Sequence, residues 1–149
     1  MPLVDDVTSA IADAMRKQDA VRLAPLRMLK AAFMNRSVEK GHELDDAEAR
    51  QVVTTLVKQR KDSIEQFTKG GRKDLADKEA LEITILEAYL PPAVDPAAVE
   101  KAVGDAIAET GAASAKDMGR VMKAAMSKLA GQNVDGKAVN ELVRRKLGA

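Results

Sequence analysis

Tyr89-Leu90-Pro91-Pro92-Ala93-Val94-Asp95-Pro96 is the stretch on which the organisation of this chain turns. Proline lacks the amide donor and its ring clashes with the preceding turn, so a proline pair cannot continue a helix. The residue before each proline is also pushed toward extended backbone. Pro91-Pro92 therefore ends whatever runs into it. Asp95-Pro96 has the opposite sense, because an Asp cap followed by a first-turn proline starts a helix. The break divides the chain into segments 1–91 and 92–149.

Working back from the break, Leu75, Ile83, Leu86 and Leu90 are spaced as one face of a fourth helix, with Asp74 as its expected cap. Gly70-Gly71 stops the helix before it, which carries Val52, Val53, Leu56, Val57, Arg60, Ile64 and Phe67. Asp45 followed by Glu48 has the spacing of a capping box at its start. A second helix follows Asp19 and carries Leu23, Leu26, Leu29, Ala32 and Phe33 to a stop at Lys40-Gly41, with Pro25 expected in its first turn. The first helix carries Leu3, Val7, Ala10, Ile11, Ala14 and Met15 and ends near Lys17-Gln18.

Working forward from the break, Val99, Val103, Ala106 and Ile107 form one stripe, stopped by Gly111. Met118, Val121, Met122, Ala125, Met126 and Leu129 form a second, ending at Gly131, with the methionines expected as adaptable core. Val134-Asp135 reads as a hydrophobic staple and cap for a last helix with Val139, Leu142, Val143 and Leu147. Alternating β-patterns do not occur. The fold expected is all-α: a four-helix amino-terminal domain over 1–91, then a small three-helix-bundle carboxy-terminal domain over 92–149.

Composition narrows the function. The chain has 149 residues, no Cys and one His. It therefore has no disulfide, no thiolate nucleophile and no Cys-based metal site. No cofactor or metal site is expected. With 46% hydrophobic residues and 24 basic against 23 acidic, it is a folded rather than a disordered chain. The amino terminus, Met1-Pro2-Leu3-Val4-Asp5-Asp6, is acidic where a signal peptide is basic and then apolar, and no apolar run approaches bilayer length. A cytoplasmic protein without a membrane partner is the resulting expectation.

Catalytic residues are thinly supplied. His42 lies in a loop without a nearby nucleophile and reads as an exposed loop residue. The carboxylates Asp45, Asp46 and Glu48, and Glu79, Glu82 and Glu87, read as surface caps and solvation. Gly70-Gly71-Arg72-Lys73 lacks the spacing of a phosphate loop.

The charge is unevenly placed. Residues 116–149 hold 8 basic side chains against 3 acidic, a net of +5, while the chain as a whole is +1. At about 100° per residue Lys116, Arg120 and Lys123 share a stripe opposite the apolar arc of their helix. Lys137 and Arg144 share one on the last helix, with Arg145 on its flank. Solvation of a small bundle accounts for such charges as readily as a binding patch does. Phe33, Phe67 and Tyr89 all precede the break, so the basic segment has no ring on which to stack a base. Nucleic acid bound there is held by its phosphate backbone, without DNA sequence readout.

Several collinear stretches resemble the YqeY family, whose fold is shared with the tail of GatB, the tRNA-handling subunit of the Asp-tRNA/Glu-tRNA amidotransferase. They are Leu26-Arg27-Met28-Leu29-Lys30-Ala31-Ala32, Lys58 through Phe67, Gly71-Arg72-Lys73-Asp74-Leu75-Ala76, and Glu79 through Pro91. Lys116 through Lys123 and Asp135-Gly136-Lys137 through Asn140 continue the likeness into the second segment. The resemblance implies a tRNA-elbow-binding module, with tRNA as partner and Lys116, Arg120, Lys123, Lys137, Arg144 and Arg145 as the basic contacts that the charge geometry selects. The amidotransferase label of the family, a carbon-nitrogen ligase with glutamine as amide donor, implies activity only within a complex, since this chain offers no supported nucleophile or oxyanion site. An adapter whose amino-terminal helices dock an aminoacyl-tRNA synthetase or amidotransferase subunit is the alternative.

Overall fold

The structure, a computed structural model, describes residues 2–130 and 132–148. Among these it is all-helical: α1 (Leu3–Arg16), α2 (Ala20–Lys40), α3 (Asp46–Lys69), α4 (Lys73–Glu87), α5 (Pro96–Thr110), a 3-10 turn at Ala115–Asp117, α6 (Met118–Lys128) and α7 (Gly136–Lys146). The chain divides into two compact units, one ending at Leu90 and one beginning at Pro91.

The helix starts follow local chemistry. Asp45, Asp95 and Asp135 each accept a hydrogen bond from an early amide of α3, α5 and α7, at 2.8, 2.8 and 3.0 Å. Each satisfies one of the four donors that a helix start leaves open. Two starts differ from expectation. Asp74 does not cap α4: the helix begins at Lys73, and Asp74 pairs with Arg72 at 3.1 Å. Pro25 lies in the second turn of α2, not the first, because Asp19 caps the helix from Ala20 by accepting from Arg22 N. Proline has no N–H to give the carbonyl of Val21, so α2 runs through one missing bond, and the Pro25 ring is buried.

In the first unit Val7, Leu26, Leu29, Phe33, Val53, Val57, Ile83 and Leu86 form the core. The main-chain N–H of Leu3 donates to Asp46 at 2.9 Å, tying the start of α1 to that of α3. Met15, expected in the α1 stripe, is 54% exposed instead.

The second unit buries Val103, Ala106, Val121, Ala125, Leu129, Val139 and Val143, with Met118, Met122, Met126 and Val134 packed around them. Its entry segment is tied down by main chain. Val94 N donates to Asn133 O at 3.0 Å, and the Asn133 side-chain Nδ2 donates to the main-chain Pro91 O at 2.8 Å. Gly131, the expected stop of the sixth helix, lies outside the described residues. Gly111 ends α5 at φ 66°, the left-handed region that costs an L side chain about 1 kcal/mol or more. Gly104, inside α5 with open space around it, has no such need. Gly111→Ala is therefore expected to destabilise this unit by about 1 kcal/mol, and Gly104→Ala to stabilise it by about 0.5–1 kcal/mol, in urea unfolding curves.

Candidate nucleic-acid interface

α5, α6 and α7 pack pairwise in the second unit. Two cations are committed to that packing: Lys128 on α6 reaches Glu109 of α5 at 2.6 Å, and Lys146 on α7 reaches Glu100 of α5 at 3.3 Å. These pairs mark the side of α6 and of α7 that faces α5. At about 100° per residue, Lys123 lies about 140° round α6 from Lys128, and Arg144 about 160° round α7 from Lys146. Lys123 and Arg144 therefore point away from α5, on two helices that touch each other.

All six residues expected in the basic patch are exposed. Lys116, Lys123, Arg144 and Arg145 carry no ion pair among the described residues. Arg120 differs, since its guanidinium is held by Asp117 one turn back. That contact, with the amide of Ala113 also donating to Asp117 at 3.1 Å, holds the Asp117 carboxyl below its usual pKa. The positive charge of Arg120 is offset locally. Lys116 lies in the 3-10 turn before α6 rather than on the α-helical stripe expected for it. A 3-10 turn advances about 120° per residue, which swings Lys116 to roughly 80–100° from Arg120 while leaving it within about 40° of Lys123. Arg145 sits about 100° from Arg144, on the neighbouring flank of α7.

The other candidates are placed as follows. His42 is exposed in the α2–α3 connection, with Nδ1 2.7 Å from the carbonyl oxygen of Glu43. Glu48 is not simply solvated: its carboxylate, 15% exposed, lies 3.0 Å from the Lys40 ammonium. Glu79 and Glu82 are also corrected, because they face inward onto Arg60. The Arg60 side chain is 6% exposed, with Nε 3.0 Å from Glu82 and 3.8 Å from Glu79. It also lies within 3.4 Å of the Leu56 carbonyl and 3.5 Å of the Met28 sulfur. The sequence carried a signal for this cluster: an arginine on an otherwise apolar stripe, which must find partners if it is buried. Among the described residues no three His, Asp or Glu side chains converge as a metal site, and no helix is long and apolar enough to cross a membrane.

The profile of the family described as Yqey-like protein matches residues 4–147. The chain belongs to the YqeY family. Curated relatives carry the name "Altered inheritance of mitochondria protein 41, mitochondrial". That from Lachancea thermotolerans is 33% identical over 99 residues, covering 64% of this chain and 53% of the relative. That from Kluyveromyces lactis is 40% identical over 77 residues, 51% of this chain and 42% of the relative. That from Pyrenophora tritici-repentis is 28% identical over 141 residues, 92% of this chain and 76% of the relative. The chain thus spans about half the length of the first two relatives.

These names overturn the cytoplasmic location expected from the sequence. Members of this family are named as mitochondrial, so an acidic start and the lack of a bilayer-length run do not assign a compartment. The physical reason is that a helical core of this kind is stable in any aqueous compartment, and its packing carries no address.

Proposed function

We propose that this YqeY protein binds tRNA through its second unit, read as a three-helix domain that follows a four-helix one. The tRNA would be held by its phosphate backbone. Lys123 and Arg144 are the central contacts in this reading, Lys116 and Arg145 lie beside them, and Arg120 and Lys137 complete the patch. The observation that carries it is the sorting of cations: Lys128 and Lys146, turned toward α5, are neutralised by Glu109 and Glu100, while Lys123 and Arg144, turned outward on α6 and α7, carry no ion pair among the described residues. Unpaired surface cations without aromatic neighbours fit a polyanion held by charge and shape. The choice of tRNA rests on the family's resemblance to the tail of the amidotransferase subunit. Amidotransferase chemistry, in this reading, belongs to partners in a complex.

Titration of the full chain with total tRNA at two salt concentrations tests the proposal. Saturable binding that weakens by about 10²–10³-fold between roughly 50 and 200 mM salt is expected for four to six phosphate contacts. Salt-insensitive binding, or none at the lower salt, overturns it.

A further inference from the structure

α2 has an outer face that the fold leaves uncovered. Val21, Ala24, Met28, Ala31, Asn35 and Val38 are all exposed, with Val21, Met28 and Val38 at 57, 51 and 81%. Their spacing is 3, 4, 3, 4, 3, the a and d positions of a coiled-coil seam, running about 27 Å along the helix. It lies opposite the face that α2 buries, which carries Leu26, Leu29 and Phe33, with Met28 also reaching its sulfur to 3.5 Å from Arg60. Small Ala residues at d let a neighbouring backbone approach closely, methionine adapts to its contacts, and a single Asn at an a position sets register.

Charge identifies the occupant. Ala20–Lys40 contains five basic residues, of which Arg22, Arg36 and Lys40 are paired with Asp13, Glu39 and Glu48, leaving Arg27 and Lys30 as its uncompensated positive charge. Arg27 flanks the seam with Lys30 beyond it on the same side, and neither has an ion pair among the described residues. A second copy of this chain would set two such helices side by side at the cost of like-charge repulsion. An acidic helix meets the apolar seam and the basic flank together.

We infer that the outer face of α2 is a docking seam for an acidic amphipathic helix of another protein. This lies beyond the RNA-binding reading and does not depend on it, because it uses the other unit of the chain. Recognition is of the helix-to-helix kind, with anchors at a and d and the partner's carboxylates beside Arg27 and Lys30.

The test uses the full chain and two synthetic helices that carry Leu at a and d, one with Glu and one with Lys at e and g. Saturable binding of the Glu helix, about tenfold or more tighter than the Lys helix, is expected. Ala31→Glu with Val38→Glu, both at exposed positions, should weaken it at least about tenfold while the circular dichroism spectrum and melting temperature are kept. Arg27→Glu should remove the preference for the Glu helix, and Lys123→Glu, in the other unit, should leave it intact. Equal affinity for the two helices, no saturable binding, or indifference to the double substitution overturns the proposal. So does a dimer of the chain alone, or binding to anionic vesicles, that the double substitution abolishes, since the seam then serves a second copy or a lipid surface.

Discussion

Replacing Arg60 by alanine should destabilise the first unit by about 3 kcal/mol and lower its melting temperature by roughly 10 °C or more, read by urea and thermal unfolding. The magnitude follows from what remains. Glu82 and Glu79, 14 and 24% exposed, would face each other across the vacated space without their shared cation. Two partly buried carboxylates of like charge are costly even though neither is fully enclosed. The guanidinium stem also fills the junction of α2, α3 and α4, so its removal costs packing as well as charge. Taking out the charges together should cost far less: Arg60→Met with Glu82→Leu and Glu79→Gln is expected to recover most of the lost stability, since a buried ion cluster replaced by uncharged groups of similar volume is often neutral. If Arg60→Ala alone unfolds at the parental urea concentration, the cluster is not a support of the fold.

Reversing the charge of Lys123 and Arg144 together should weaken tRNA binding by about 10²-fold or more at low salt, with unfolding transitions unchanged. Each substitution removes one phosphate contact and adds one repulsion, and the slope of log affinity against log salt should flatten by roughly 2. Lys128→Glu with Lys146→Glu is the informative contrast. Those side chains are held by Glu109 and Glu100, so their reversal should disturb the packing against α5 more than it disturbs RNA binding. Reversal of Arg120 should have the smaller effect on binding, because Asp117 already offsets its charge. Equal losses from the two pairs would mean that only net charge matters and that the outward face has no special part.

Much of the helical pattern was legible because helix ends are local events. Asp45, Asp95 and Asp135 act at the starts where an Asp precedes an apolar period, and Gly111 stops a helix where left-handed backbone is needed. Asp74 and Pro25 escaped the same reasoning for a physical reason. A cap is one of several acceptors or conformations available to a helix start, and one missing bond in α2 is a small term beside the burial of Leu26, Leu29 and Phe33. The basic residues of the second unit were legible as a cluster. Their division was not, because Lys128 and Lys123 look alike in sequence and differ only in which neighbour stands opposite.

The sequence by itself determined that this chain is helical, which face of most helices is apolar, and that positive charge gathers near its end. These follow from periodicity and capping, which act over a few residues. The tertiary structure alone decided that Glu79 and Glu82 turn inward to Arg60, that two lysines are spent on α5 while Lys123 and Arg144 face outward, and that the Val21-to-Val38 seam stays open. Burial and pairing depend on which elements meet, and residues such as Arg60 and Glu82, 22 positions apart, become neighbours only when α3 and α4 pack.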